Sequence, residues 1–256
     1  PNSILSCLRR ARENARSVRE VISSEMWEQV NEFYLMVNAA ASRKGSLTDP
    51  HEFFASVKTA SHLFTAVSES TMTHNEAWHF QVLGRSLERA DKTSRLLDVK
   101  YFLLLPAAAD VGTTADDIQW AAVLRSASGF EMYRKQYGRI LPDLVVQFLL
   151  LDANFPRAIQ FCLLRARESV HAISGTAPGM FRNSAERLLG ELCSELAYSK
   201  VTTIIKGGLH EYLDDLQTKI NNLSDGIYDT FFAVHAGVPV VERRDARQPS
   251  GAAQLQ

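Results

Sequence analysis

Residues His74 to Tyr101 read HNEAWHFQVLGRSLERADKTSRLLDVKY, and this stretch decides the fold. Leu83, Leu87, Ala90, Leu97 and Tyr101 recur at spacings of three, four and seven, which places them on one face of a long helix. Beside them Glu88, Asp91, Arg95 and Asp98 form a ladder of alternating charge. Thr73-His74-Asn75-Glu76 reads as a capping box that starts the helix, and Pro106 ends it.

The same punctuation recurs outward from this stretch. Asp49-Pro50-His51-Glu52 is an N-cap, a Pro at the first helical position and a capping-box Glu, opening a helix that ends near Met72. Upstream, Pro1 starts a helix whose apolar residues Ile4, Leu8, Ala11, Ala15, Val18 and Ile22 shift register to Met26, Val30, Phe33 and Val37. It stops at Arg43-Lys44-Gly45. Downstream, residues 106–115 form a linker, and Asp116-Asp117 open a helix broken near Gly129 and finished by Gly138. Pro142 starts a short apolar helix, Phe155-Pro156 leads into Arg157–Ile173, and Ser174–Asn183 is a loop. Helices follow over Ser184–Lys206 and Leu209–His235, turning at Gly207-Gly208. The last carries Leu209, Leu213, Leu216, Ile220, Leu223, Ile227 and Val234 as a near-heptad seam. Trp27, Trp78 and Trp120 fall in apolar registers and are expected in the core. No segment alternates as a strand would. The expected fold is an all-α bundle of about seven to nine helices over 1–236, with a tail over 237–256 too polar to pack.

The first helix is written twice. Pro1, Ile4, Cys7, Leu8, Arg10, Ala11, Arg12 and Glu13 align without a gap on Pro156, Ile159, Cys162, Leu163, Arg165, Ala166, Arg167 and Glu168. Helical composition alone rarely gives such a run, so a diverged duplication is expected, with units 1–72 and 73–175 and a helical pair 184–236. Gly84 lies about 70 residues ahead of Pro156, and a matching helix for the first unit would lie about as far upstream of Pro1. The first unit therefore reads as truncated. Asn14, Ala15, Arg16, Arg19 and Glu20 face Ser169, Val170, His171, Ser174 and Gly175, so any site is asymmetric.

Composition narrows the function classes. Lys and Arg number 28 against 29 Asp and Glu, a net charge of −1, which gives no global field for nucleic acid or an anionic membrane. The three cysteines lack CxxC spacing, arguing against a disulfide framework or thiolate zinc site and for a reducing cytosol. No apolar run reaches membrane-spanning length and no charged-then-apolar leader opens the sequence.

Two constellations carry candidate chemistry. Arg9, Glu13, Arg16, Glu20 and Ser24 run beside the apolar face of the first helix, as the ladder does on the His74 helix. As surface i,i+4 pairs each contact contributes only a few tenths of a kcal/mol. If the two helices face each other, they enclose a polar groove in which Arg takes a carboxylate or phosphate bidentately. The groove residues would be Glu13, Asn14, Arg16, Glu20, Glu25, Arg85, Glu88, Arg89, Asp91 and Arg95. Glu76-x-x-His79 and Glu168-x-x-His171 repeat the Glu-x-x-His spacing of di-iron carboxylate bundles, a weaker alternative in which these four would hold metal.

Ala11–Asn31 (ARENARSVREVISSEMWEQVN), Leu83–Tyr101 and Trp120–Lys135 (WAAVLRSASGFEMYRK) resemble the bacterial alpha-E domain family through nearly the whole chain to about His235. The resemblance implies an all-α fold with a characteristic set of acidic and basic helix residues, and no cofactor is expected. It also implies association with a circularly permuted ATP-grasp protein and often a transglutaminase-like peptidase. The family pattern usually opens with another Gly-Arg-x-x-Glu-Arg-Ala helix, in keeping with the truncation. The leading expectation is a cytoplasmic, non-catalytic accessory domain of a peptide- or amide-ligating system. The alternatives are an enzyme using clustered helix carboxylates, with or without metal, and a structural scaffold.

Overall fold

Asn75 and Asp49, short side chains that accept backbone N–H bonds, set where two of the longest helices begin. In a computed structural model, which describes residues 3–42, 49–103 (backbone alone for 101–103) and 113–233, Asp49 Oδ1 accepts from the His51 and Glu52 amides and opens α3, Pro50–Thr71. The chain is all-α, with eleven helices and no strand among the described residues. Those ahead of α3 are α1, Ile4–Ser17, and α2, Ser24–Ser42. After it come α4, Glu76–Leu103, α5, Thr114–Ser126, α6, Phe130–Tyr137, and α7, Pro142–Leu151. The remainder are α8, Ile159–Ser174, α9, Ser184–Tyr198, α10, Val201–Gly207, and α11, Leu209–Phe231.

Several boundaries differ from the sequence expectation, each for a local reason. The first long helix is two, because Ser23 Oγ accepts the Met26 amide at 3.1 Å and caps a fresh start while also meeting Thr71 Oγ1 at 2.6 Å. The helix expected over Ser184–Lys206 likewise divides at Ser199-Lys200, between α9 and α10. These two breaks raise the count from nine to eleven. Ser3 caps α1 in a box with Ser6, so the helix starts at Ile4 rather than at Pro1. Asn75 caps α4, its Oδ1 3.2 Å from the Ala77 amide, in place of Thr73. Thr113 caps α5, so that helix starts at Thr114, two residues before Asp116. The stops assigned to Arg43-Lys44-Gly45 and Pro106, Val234 of the heptad seam and the tail lie outside the described residues.

The main core is a layer of α4, α8, α9 and α11, with α5, α6, α7 and α10 closing its ends. α4 runs along α8 over small side chains, Ala90 and Ser94 on one helix and Ala166 and Ser169 on the other, all buried. Such residues let two helix axes approach closely, and enlarging them strains the crossing. The seam of α11 is buried from Leu209 to Ile227, and Phe148 stacks on Phe155 at 4.4 Å. α1, α2 and α3 pack in series, and a small second core of Met26, Met72, Trp78 and Val82 ties them to the start of α4. Trp78 and Trp120 are buried as expected, whereas Trp27 is half-buried beneath the guanidinium groups of Arg12 and Arg19.

Candidate functional site: an arginine cluster on the longest helix

A helix turns about 100° per residue, so the charged residues of α4 do not share one direction. Glu88, Asp91 and Arg95 line a cleft of about 240 Å³ with Ile220, Asn221 and Ser224 of α11. There Asp91 accepts from Arg95 Nε at 2.9 Å and from Lys92 Nζ at 3.2 Å, and Lys92 reaches Glu88 at 3.2 Å. Burial raises the Asp91 pKa, but the hydrogen bonds from Arg95 and Lys92 outweigh it and hold the carboxyl below its usual value. This network is closed on itself.

Arg85 and Arg89, one turn apart, point elsewhere. Arg85 Nη2 pairs with Glu69 of α3 at 2.8 Å, while its Nη1 is buried with no hydrogen-bond partner. Arg89 Nη1 donates to the Pro156 carbonyl at 3.2 Å, just ahead of α8. Thr93 Oγ1, a turn further on, donates to the Arg157 carbonyl at 2.9 Å and fixes the same junction. Among the described residues the Arg157 guanidinium makes no hydrogen bond or ion pair. Burial lowers the Arg89 pKa; the Cys162 thiol works against this, and the charges of Arg157 and Arg85 add to it. Arg89 nonetheless stays protonated. Three guanidinium groups thus act on one another, and among the described residues Glu69 is the one carboxylate that pairs with any of them. A fork of this kind matches a carboxylate or phosphate.

The other predicted groove residues lie apart from this cluster. Glu13 pairs with Arg12 at 3.3 Å and loosely with Arg16 at 4.0 Å, all on α1. Glu20 and Glu25 are exposed, and Asn14 lines an apolar groove. No hydrogen bond or ion pair among the described residues joins the α1–α2 set to the α4 set. α4 packs instead on α8 and α11, so the charge ladder does not face the Arg9–Ser24 stripe.

The alternative metal set does not converge either. Glu168 pairs with Arg165 at 2.8 Å, His171 Nδ1 sits 3.1 Å from the Thr176 carbonyl, and His79 Nδ1 lies 3.5 Å from Ser169 Oγ. Glu76 lines the apolar groove. Among the described residues no three His, Cys, Asp or Glu side chains are placed to hold one metal ion. No helix among them is long and apolar enough to cross a membrane.

Sequence reading missed Arg157, Glu69 and Arg12. One signal for the cluster was present: Arg89 has no acid three or four residues away, only Arg85, Ser86, Lys92 and Thr93. An arginine with no acid at helical spacing takes its partner from elsewhere. Arg12 is the cation that organises α1, donating to Asn31 Oδ1 at 2.7 Å and lying over the rings of Trp27 and Tyr34.

One titrating contact joins α4 to α11. His210 Nδ1 lies 2.6 Å from Asp98 Oδ1. The hydrogen bond to Asp98 raises the His210 pKa above its usual value of about 6.5, the charges of Glu211 and Asp214 adding to it. A raised histidine pKa contributes stability below about pH 6.5, and that contribution is lost as pH rises through the folded-state value. The His210 ring resonances should therefore titrate above pH 6.5 by NMR. His210→Asn should remove the fall in unfolding midpoint across that window. A His210 midpoint below 6.5 would contradict the contact.

These features define an all-α domain whose helix α4 carries charged side chains toward α3, α8 and α11. The family profile that matches residues 1–232 is Alpha-E, a predicted alpha-helical domain with a conserved ER motif, and the chain belongs to that family. Within the described residues the dipeptide Glu-Arg occurs at Glu88-Arg89, in the cluster, and at Glu186-Arg187 on α9. The chain is similar to Uncharacterized protein Mb2597 of Mycobacterium bovis, with 21% identity over 259 residues that take in 97% of this chain. Uncharacterized protein Rv2567 of Mycobacterium tuberculosis matches to the same extent. The chain spans 28% of the length of these relatives. No solved structure matches it.

Proposed function

We propose that this domain is an accessory module of a system that makes peptide or amide bonds, and that it binds an acidic group of its partner at Arg85, Arg89 and Arg157. The observation that carries the reading is the excess of guanidinium groups there: among the described residues Arg157 makes no hydrogen bond or ion pair, and one nitrogen of Arg85 is buried without a hydrogen-bond partner. Like charges brought together without matching carboxylates repel, and an incoming anion relieves that repulsion. The partner would be an ATP-grasp ligase or its peptide substrate, as the alpha-E resemblance implies. Two facts support a module rather than a free-standing unit: the family match, and the much longer relatives in which the matching segment is one part.

The test is co-purification of the full-length protein with the ATP-grasp protein encoded beside it, with ligase turnover measured in its presence and absence. Arg89→Met and Arg157→Met should each weaken the complex by about tenfold or more, since truncating one side of a buried charged contact costs about 2–5 kcal/mol. Arg157→Met makes the cleaner variant, because its side chain makes no hydrogen bond or ion pair among the described residues. Raised salt should weaken binding as well. No complex and unchanged turnover would sink the reading.

A further inference from the structure

A spacing of four residues stacks side chains on one helix face. Arg167 and His171 therefore share a face of α8, and Glu186, Gly190 and Ser194 share a face of α9. These faces and the loop joining the two helices enclose a cavity of about 840 Å³. The loop is tied down at both ends by one side chain. Glu186, 2% exposed, accepts from Thr176 Oγ1 at 2.8 Å and from the Arg182 amide at 2.6 Å. Between those ties Met180 and Phe181 line the cavity while 65% and 62% exposed.

Three features of these walls serve no contact inside the fold. Arg167 is half-buried, and among the described residues its guanidinium makes no hydrogen bond or ion pair. His171 Nδ1 donates to the Thr176 carbonyl at 3.1 Å, which makes Nε2 the acceptor of the neutral ring. Among the described residues Nε2 makes no hydrogen bond. Gly190 lies in the interior of α9, where glycine is less stable than alanine. No neighbour requires a glycine there, since a Cβ on Gly190 would meet no atom within 4 Å. The gap above it is left open by the chain.

We propose that this cavity binds the C-terminal end of a peptide whose last side chain is apolar. Arg167 takes the carboxylate through its fork of N–H donors. His171 Nε2 accepts a peptide N–H, and Met180 and Phe181 cover the last side chain over the gap at Gly190. Charge selects a carboxylate over a phosphate. Glu168 and Glu191 at the rim are paired with Arg165 and Arg187, each at 2.8 Å, so Arg167 carries the uncompensated charge. One carboxylate balances it. A phosphate group carries roughly −1.5 to −2 at pH 7 and would bring excess negative charge beside Glu168 and Glu191. The volume falls within the range of small-ligand sites, about 300–1,000 Å³. The site is separate from the arginine cluster on α4: Arg167 follows Arg157 by ten residues, roughly 15 Å at the rise of a helix.

The probe is a fluorescein-labelled tetrapeptide ending in leucine with a free carboxylate, titrated with the 256-residue chain and read by fluorescence anisotropy. Saturable one-to-one binding is expected. The same peptide with an amidated C-terminus should bind about tenfold or more weakly, and so should the acid peptide to Arg167→Met. Gly190→Leu, which fills the gap, should also weaken binding by about tenfold or more while its melting temperature does not fall, since it removes a helix-interior glycine and meets no neighbour. Arg157→Met should leave peptide binding unchanged, which separates this result from the partner-binding test. No saturation up to about 1 mM peptide overturns the proposal. So does equal binding of the acid and amide forms, or binding indifferent to Arg167→Met or Gly190→Leu. Displacement of the peptide by an equal concentration of inorganic phosphate overturns it as well, since the site would then select for phosphate.

Discussion

Asp116→Ala should destabilise the protein by about 3–5 kcal/mol, because it leaves a buried ammonium without its counter-ion. Lys100 Nζ donates to Asp116 Oδ1 at 2.8 Å and to Gln119 Oε1 at 2.7 Å, and lies 5.2 Å from the centre of the Trp120 ring. Both charged side chains are almost sealed, at 3% and 4% exposure. In that setting the desolvation of Lys100 is offset by its ion pair with Asp116, with Gln119 and the Trp120 ring among its other contacts. Removing the carboxylate deletes the largest offset and keeps the whole desolvation cost. For a domain of this size, a loss of that order lowers the melting temperature by roughly 10 °C. The double replacement Lys100→Met with Asp116→Leu should lose much less than Asp116→Ala alone, since an apolar pair leaves no charge unmatched. Denaturant unfolding of both variants checks this. A loss for Asp116→Ala below about 1 kcal/mol would mean that water reaches Lys100.

The second large effect is a contrast between two residues that the sequence presents as equals. Ile159→Ala should cost about 2–5 kcal/mol, the range for truncating a sealed aliphatic side chain whose neighbours relax only in part. Ile4→Ala should change stability by about 0.5 kcal/mol or less, as expected for a surface position. Both are isoleucines at the first residue of their helices, in aligned stretches. The difference comes from their surroundings, since α8 packs against α4, α7 and α9 whereas α1 packs chiefly on α2. Urea unfolding of the two variants side by side gives the answer. Equal losses would show that Ile4 is covered in solution.

The candidate site was legible only in part. Arg85 and Arg89 stood out as arginines on a recognisable helix, and their excess over acids at helical spacing is countable from sequence. Their companion Arg157 was not, because it enters through the chain junction before α8, fixed by Thr93 and Arg89 holding two backbone carbonyls there. The predicted polar groove between α1 and α4 joined two real stripes wrongly. Arg9, Glu13 and Arg16 are exposed on α1, and Glu20 is exposed in the turn after it. The ladder of α4 lies beside α11, while Arg85 and Arg89 turn to Glu69 of α3 and to the Pro156 carbonyl ahead of α8.

Sequence alone determined that this is an all-α member of the Alpha-E family, where most helices lie, and that α1 and α8 share a register. It could do so because apolar spacing, caps and breakers act over three or four residues, and an aligned repeat is visible without coordinates. Tertiary structure alone decided which of two matched helices is covered, which carboxylate meets Lys100 and which arginines share a locality. Those outcomes depend on where a helix distant in the chain comes to lie. Helical periodicity specifies that a face must be buried and carries no information on what will bury it.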